Sequence, residues 1–296
     1  MRKIIALLGP TAVGKSDIAV ECAQKLNGEI ISADSIQVYR GLDIGSGKIT
    51  KKEMRGIVHH LIDIKEPTED FNAFEYKQLV YTKIDEILAK NKTPIIVGGT
   101  GLYVRAIIEN YDFKNTEKND DIRNKYENLI SQNGVEYVYN LLKNRDPKLA
   151  VNIEPHNKNR IIRALEICEN KKNVTVLSGN NYEFLTFALF MERQLLYDKI
   201  NKRVDKMFEE GLELEVKNLY KSGIDENYQC MQAIGYKEFF PYFKGESKLE
   251  DTKNLIKQKS RNYAKRQLTW LRSMNNIIWV DVNNGDPVEK IINYYK

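Results

Sequence analysis

Five runs of apolar, largely β-branched residues punctuate the chain: KIIALL (3–8), EIISAD (29–34), TPIIVGG (93–99), FLTFALF (184–190) and NIIWVDV (276–282). Their apolar character is too continuous for half-exposed strands and suits strands buried on both faces. Helical spacing fills the gaps between the first three, as in SDIAVECAQKL (16–26), where Ile18, Ala19, Cys22 and Leu26 recur on one side. Alternating strand and helix predicts βαβ units and a parallel sheet flanked by helices. Between 115 and 181 the strand signal disappears, and charged, Asn-rich helical pattern takes over, as in DIRNKYENLISQNGVEYVYNLLKNRDPKLAV. This predicts an all-helical subdomain over 115–181, inserted in an α/β core made of 1–114 and 182–296. A long helix is expected over 193–219 with a break near Gly211, and a short helix after GDP (285–287) closes the chain.

Composition adds few constraints. With 296 residues, 42% hydrophobic and 29% charged, the chain reads as a globular protein of one large domain plus an insertion. Cys22, Cys168 and Cys230 are far apart with no C-x-x-C pair, which argues against a disulfide framework or zinc site and for a reducing cytoplasm. The apolar run after MRK is too short for a signal peptide core, and no stretch reaches membrane-spanning length, so no membrane partner is expected.

Charge changes the picture more. Of the net +5, seven basic residues and no acidic one lie in TKNLIKQKSRNYAKRQLTWLR (252–272), so the rest of the chain carries −2. Lys257, Arg261 and Lys265 recur at i+4, while Ala264, Leu268 and Leu271 mark an apolar face. Unbalanced charge of one sign calls for a polyanion. Tyr263 and Trp270 could stack on bases, and the apolar face is needed for the core, so nucleic acid is favoured over a membrane surface.

Three stretches carry candidate chemistry. LLGPTAVGKS (7–16) meets G-x-x-x-x-G-K-[ST] at Gly9, Gly14, Lys15 and Ser16, with Pro10, Thr11, Ala12 and Val13 between. Its backbone N–H groups would cradle a diphosphate, Lys15 would add charge, and the Ser16 hydroxyl would bind Mg²⁺. Asp34 ends the second strand on the same rim, where a carboxylate can hold a metal through water, accept a proton, or simply close a turn. Gly98-Gly99-Thr100-Gly101 opens directly from the third strand into a helix. A phosphate loop and a basic surface therefore coexist. A small-metabolite kinase would use the first and leave the second idle.

In order, GPTAVGKS, ISADSIQVYRGLDIGSGK, HHLID, IIVGGTGLYVRAI, RIIRALE, INKRVDKMFEEGLELEV, QAIGYKEF and AKRQLTWLR resemble the tRNA dimethylallyltransferase (tRNA isopentenyltransferase) family from end to end. The resemblance implies a P-loop kinase-like core with a helical insertion. It also implies transfer of a dimethylallyl group from dimethylallyl diphosphate to N6 of the adenine 3′ of the anticodon, position 37. On that reading residues 9–16 hold the diphosphate with Mg²⁺ on Ser16, and no ATP is consumed. Asp34 matches the family's general base, Thr100 its channel threonine, and Arg203 the arginine facing the leaving group. Ser35, Ile36, Gln37 and Val38 match the stretch that receives the flipped base. Arg123 and Asn159, Arg160, Ile161, Ile162 and Arg163 match contacts to the anticodon stem–loop, which Lys257, Arg261 and Lys265 would extend. The family reading suggests a monomer with no obligate protein partner. Two local departures stand out: GSGK runs into Ile49 where the family has proline, and EPHN (154–157) replaces its HPND. Three alternatives remain from the residues: an adenylate isopentenyltransferase, a small-molecule P-loop kinase, and a non-catalytic RNA-binding protein.

Overall fold

Residues 2–112, 119–170, 175–176 and 182–296 are described by the structure, a computed structural model. The five apolar runs form strands β1 (Arg2–Leu8), β2 (Gly28–Ala33), β4 (Thr93–Gly98), β7 (Tyr182–Phe190) and β8 (Ile277–Asp281). A two-residue strand, β3 (His59–His60), joins them in one parallel sheet of order β3-β2-β4-β1-β7-β8. Sequence pattern missed β3, because two residues cannot display a period. Ile4 to Leu8 are fully buried, as expected of a central parallel strand covered on both faces.

Two compact units divide the chain. The first comprises Met1–Ile108 with Asn180–Lys296, the second Glu109–Gly179. In the first, helices α1 (Lys15–Lys25), α8 (Arg193–Glu209), α11 (Leu249–Arg272) and α12 (Pro287–Tyr295) contribute to a core with β1, β4 and β7. Helices α2 (Ala73–Ala89) and α3 (Gly101–Ile108) pack together, with α2 against β2 and β4. Helices α9 (Leu212–Lys221) and α10 (Phe240–Phe243) complete this unit. The expected break falls at Gly211, whose φ of 99° caps α9 and separates it from α8.

β1 lies between β4 and β7, although the chain runs from β1 through α1 to β2. The carboxyl ends of β1, β2 and β4 therefore open beside a topological switch point, the place in such sheets where ligands bind. The loops that follow these three strands carry Lys15, Asp34 and Thr100.

The second unit contains α4 (Asp120–Asn133), α5 (Val135–Arg145), α6 (Pro147–Ala150) and α7 (Lys158–Asn170) around a core that includes Tyr126, Val138, Leu142 and Leu165. It also contains a short antiparallel pair, β5 (Tyr111–Asp112) with β6 (Thr175–Val176). The helical pattern over 115–181 concealed β6 for the same reason of length.

Candidate active site

The loop between β1 and α1 turns at Ala12 (φ 64°) and at Gly14 (φ 97°), which precedes the first residue of α1. Gly14 is needed there because a side chain is strained at that φ. Val13 is buried in the core, so it serves the loop through its backbone alone. Lys15 Nζ donates to Gly9 O (3.0 Å) and Pro10 O (2.7 Å). Burial, reinforced by the Arg203 guanidinium, pushes the Lys15 ammonium down to about 7, with Asp34 opposing the shift. An anion in this loop would restore its charge.

Arg203 comes from α8. Its Nη1 donates to Thr11 Oγ1 and its Nη2 to Ser46 O, each at 3.4 Å. Burial lowers its pKa, a cost partly offset by Asp34 and Glu53. Gly47 explains one glycine of the GSGK stretch: at φ +58° a Cβ there would lie 1.6 Å from Arg203 Nη2. Lys48 pins the same loop, donating to Tyr39 O (2.8 Å) and pairing with Asp43 (2.6 Å) and Asp63 (2.5 Å). Glu215 on α9 completes the support, accepting the N–H groups of Asp43, Ile44 and Gly45 at 2.7–3.0 Å and the Tyr236 hydroxyl at 2.8 Å.

Asp34 closes a turn and stays available. Its Oδ1 accepts the N–H groups of Ile36 (2.9 Å) and Gln37 (3.3 Å), while Oδ2 has no hydrogen bond among the described residues. Thr100 joins this stretch to the β4–α3 turn, its Oγ1 accepting Ser35 N–H at 3.2 Å. Gln37 bridges Ser32 Oγ and Gly47 O, each at 3.3 Å. Val38 is buried and lies outside the receiving surface, a correction to the sequence reading.

A cavity of about 650 Å³, within the range of small-molecule sites, is lined by the phosphate loop, the Asp34 stretch and Arg203, while Thr100 stands behind the lining and reaches it through Ser35 N–H. Thr11, Lys15, Ser16 and Arg203 contribute cationic or hydroxyl groups, and Asp34, Ser35, Ile36 and Gln37 belong to the same lining. Ile200, Val204, Met207 and Ile256 give it apolar wall. Tyr263 lines it too, its phenol pushed up to about 12 by burial and by Asp34, and Arg266 stacks over the Tyr263 ring at 5.6 Å. Among the described residues no cluster of three His, Cys, Asp or Glu could hold a metal. A Mg²⁺ here would use the Ser16 hydroxyl with ligand oxygens and water, which suits its coordination habits.

The basic helix departs from expectation. Lys257 pairs with Asp205 on α8 at 2.7 Å, as does Lys253, and Arg261 Nη1 donates to Asn201 Oδ1 at 2.6 Å. Lys257 and Arg261 therefore clasp α8, and of the three only Lys265 is exposed. A sequence cannot show that one carboxylate on a distant helix answers two of its charges. Trp270 is likewise half-buried, with its indole packed against Gly101.

In the helical unit, Ile161 and Ile162 are buried core residues, which corrects the expectation that they touch RNA. Asn159 and Arg160 are exposed on α7. Arg123 and Arg163 converge on the fully buried Glu166, at 3.1 and 2.6 Å. Burial alone would raise the Glu166 pKa, but these two guanidinium groups and Asn119 N–H hold it below the usual carboxylate range. Glu166, Glu215 and Gln267 lie inside the quoted stretches RIIRALE, INKRVDKMFEEGLELEV and AKRQLTWLR, but no role could be read for them before their partners were located.

Comparison with known proteins identifies the family. The family model described as IPP transferase matches residues 37–274. A tRNA dimethylallyltransferase of Bacillus cytotoxicus is 45% identical over 298 residues, covering 99% of this chain and 94% of that one. That of Bacillus licheniformis is 47% identical over 293 residues, covering 97% and 93%. The crystal structure of a full-length tRNA isopentenylpyrophosphate transferase from Bacillus halodurans superposes with a TM-score of 0.75 at 45% identity, covering 100% and 95% of the two chains. A eukaryotic dimethylallyltransferase caught acting on tRNA gives a TM-score of 0.77 at 29% identity, covering 95% and 74%. Among the described residues no helix is long and apolar enough to cross a membrane. The chain belongs to the IPP transferase family.

Proposed function

We propose that this protein transfers the dimethylallyl group of dimethylallyl diphosphate to N6 of adenine 37, next to the anticodon of tRNA. One observation carries the reading. One cavity is lined by the diphosphate loop (Thr11, Lys15, Ser16), by Arg203 of α8, by a carboxylate whose Oδ2 has no hydrogen bond among the described residues (Asp34) and by an apolar wall (Ile200, Val204, Met207, Ile256).

The allylic diphosphate is already activated, so the chain needs no ATP. An adenine amino group is a weak nucleophile, and bond breaking to the diphosphate runs ahead of bond making. Negative charge then builds on the leaving group, where Lys15, Arg203 and the first N–H groups of α1 stabilise it. Mg²⁺, held by Ser16 and the diphosphate, would add charge neutralisation at the same place. Asp34 Oδ2 takes the N6 proton as the amine is alkylated, while Oδ1 stays fixed by its turn. Holding both substrates aligned can contribute up to ~7–11 kcal/mol.

A base stacked in an anticodon loop is out of reach, so adenine 37 is flipped into the cavity beside Ser35, Ile36, Gln37 and Thr100. Arg123, Asn159, Arg160 and Arg163 of the helical unit, with Lys265 on α11, contact the RNA backbone. The protein works as a monomer. Competition separates this from the nearest alternative: an anticodon stem–loop should accept labelled dimethylallyl in preference to AMP. Efficient transfer to AMP with the stem–loop ignored would overturn it.

A further inference from the structure

Gln267 on α11 is 3% exposed, a buried amide whose two ends reach different loops. Its Oε1 accepts Thr11 N–H at 2.9 Å, and its Nε2 donates to Gly99 O at 3.0 Å. Thr11 belongs to the phosphate loop and takes Arg203 Nη1 on its hydroxyl. Gly99 precedes Thr100, whose hydroxyl holds Ser35 N–H beside Asp34. One side chain thus spans the donor half of the cavity and the acceptor half. The contact is close by design of both partners: a Cβ on Gly99 would lie 2.2 Å from Gln267 Nε2. Buried amides of this kind are costly unless both ends are satisfied, and here both are.

We propose that Gln267 is a positioning residue that sets the spacing between the diphosphate loop and the turn carrying Thr100. The proposal rests on the transferase reading above. Thr11 N–H is committed to Gln267, so this amide serves alignment and does not contact a phosphate. Gln267 works through the two loops and touches neither reacting atom. The same helix braces α8 on either side of Arg203, through Arg261 on Asn201 and through Lys253 and Lys257 on Asp205. α11 therefore fixes the phosphate loop, the Thr100 turn and the Arg203 helix together.

The test is steady-state transfer by the full chain with Gln267→Met, which keeps the length of the side chain and removes both hydrogen bonds. Loss of alignment without loss of contact should lower kcat by about 10²-fold and leave KM for dimethylallyl diphosphate and for the stem–loop within about threefold. A KM increase confined to one substrate with kcat retained would make Gln267 a contact for that substrate and overturn the proposal. So would unchanged kinetics, or a loss that tracks the folded fraction measured by circular dichroism. Gly99→Ala gives a second reading: its Cβ would lie 2.2 Å from Gln267 Nε2 and so displaces the amide, and it also meets Gly9 O of the phosphate loop at 3.0 Å. Gln267→Ala, measured beside Gln267→Met, relieves the first of these contacts, so the loss in the double variant should be less than the product of the two single losses; fully multiplicative losses would mean the two residues act separately. An inactive wild-type protein, run alongside, overturns the transferase reading and the proposed role with it.

Discussion

Placing a methyl group on Gly47 tests whether the Arg203 guanidinium is the group that meets the leaving diphosphate. Gly47→Ala puts Cβ 1.6 Å from Arg203 Nη2, and ordinary contact begins near 3.4 Å, so the guanidinium must retreat by about 1.8 Å. That is enough to break its 3.4 Å contacts to Thr11 Oγ1 and Ser46 O. The backbone at φ +58° adds strain of about 1–2 kcal/mol for a residue with a side chain. Such strain lowers the melting temperature by only several degrees in a chain of this size. The catalytic effect should be much larger, because removing one preorganised donor from a developing anion costs about 10²–10³ in kcat. Transfer of labelled dimethylallyl to an anticodon stem–loop measures the rate, and thermal unfolding measures the strain. Arg203→Ala should reduce kcat to a similar level, and the double variant should be no worse than Arg203→Ala alone. Full activity in Gly47→Ala, or losses that multiply in the double variant, would refute the seating of Arg203 described here.

Asp34→Asn preserves an oxygen for the N–H groups of Ile36 and Gln37 and removes the base; kcat should fall about 10²–10⁴-fold while stem–loop affinity, measured by fluorescence anisotropy, stays unchanged. Lys15 has its pKa depressed from 10.5 to about 7, so the native chain binds fewer protons than the unfolded chain between those values. Stability of the empty protein should therefore rise with pH across that window. Inorganic pyrophosphate restores the Lys15 charge, so the wild-type protein should take up more protons than Lys15→Arg on binding it at pH 8, seen as a difference between their buffer-dependent calorimetric heats. Lys265→Glu should weaken stem–loop binding and reduce the salt slope of log K by about 1. Lys257→Glu, facing Asp205, should instead lower the urea midpoint.

The sheet and the phosphate loop were legible in the sequence because their signals are local. Ile4 to Leu8 are buried where the unbroken apolar run demands it, and Gly14-Lys15-Ser16 open α1 where the motif ends. Asp34 and Thr100 could be placed on the ligand rim because each follows a strand. Charge patterns told less. Lys257 and Arg261 looked like a free basic stripe, yet their partners Asp205 and Asn201 lie on another helix. The RIIR segment gave residue types without sides: Ile161 and Ile162 face inward, and Arg163 is half-claimed by Glu166. Gln267, Glu215 and Gly47 were silent for one shared reason. Each owes its role to an atom more than a hundred residues away, and no window of sequence contains that distance.

One experiment tests most directly whether the chain moves a pre-activated allyl group onto an extruded adenine. Purified protein, Mg²⁺ and labelled dimethylallyl diphosphate are incubated without ATP, with one anticodon stem–loop bearing adenine at position 37 and another bearing guanine there. The digested RNA should contain labelled N6-isopentenyladenosine from the adenine substrate only, with one diphosphate released per nucleoside formed. Equal labelling of both RNAs, or transfer that requires ATP cleavage, would contradict it.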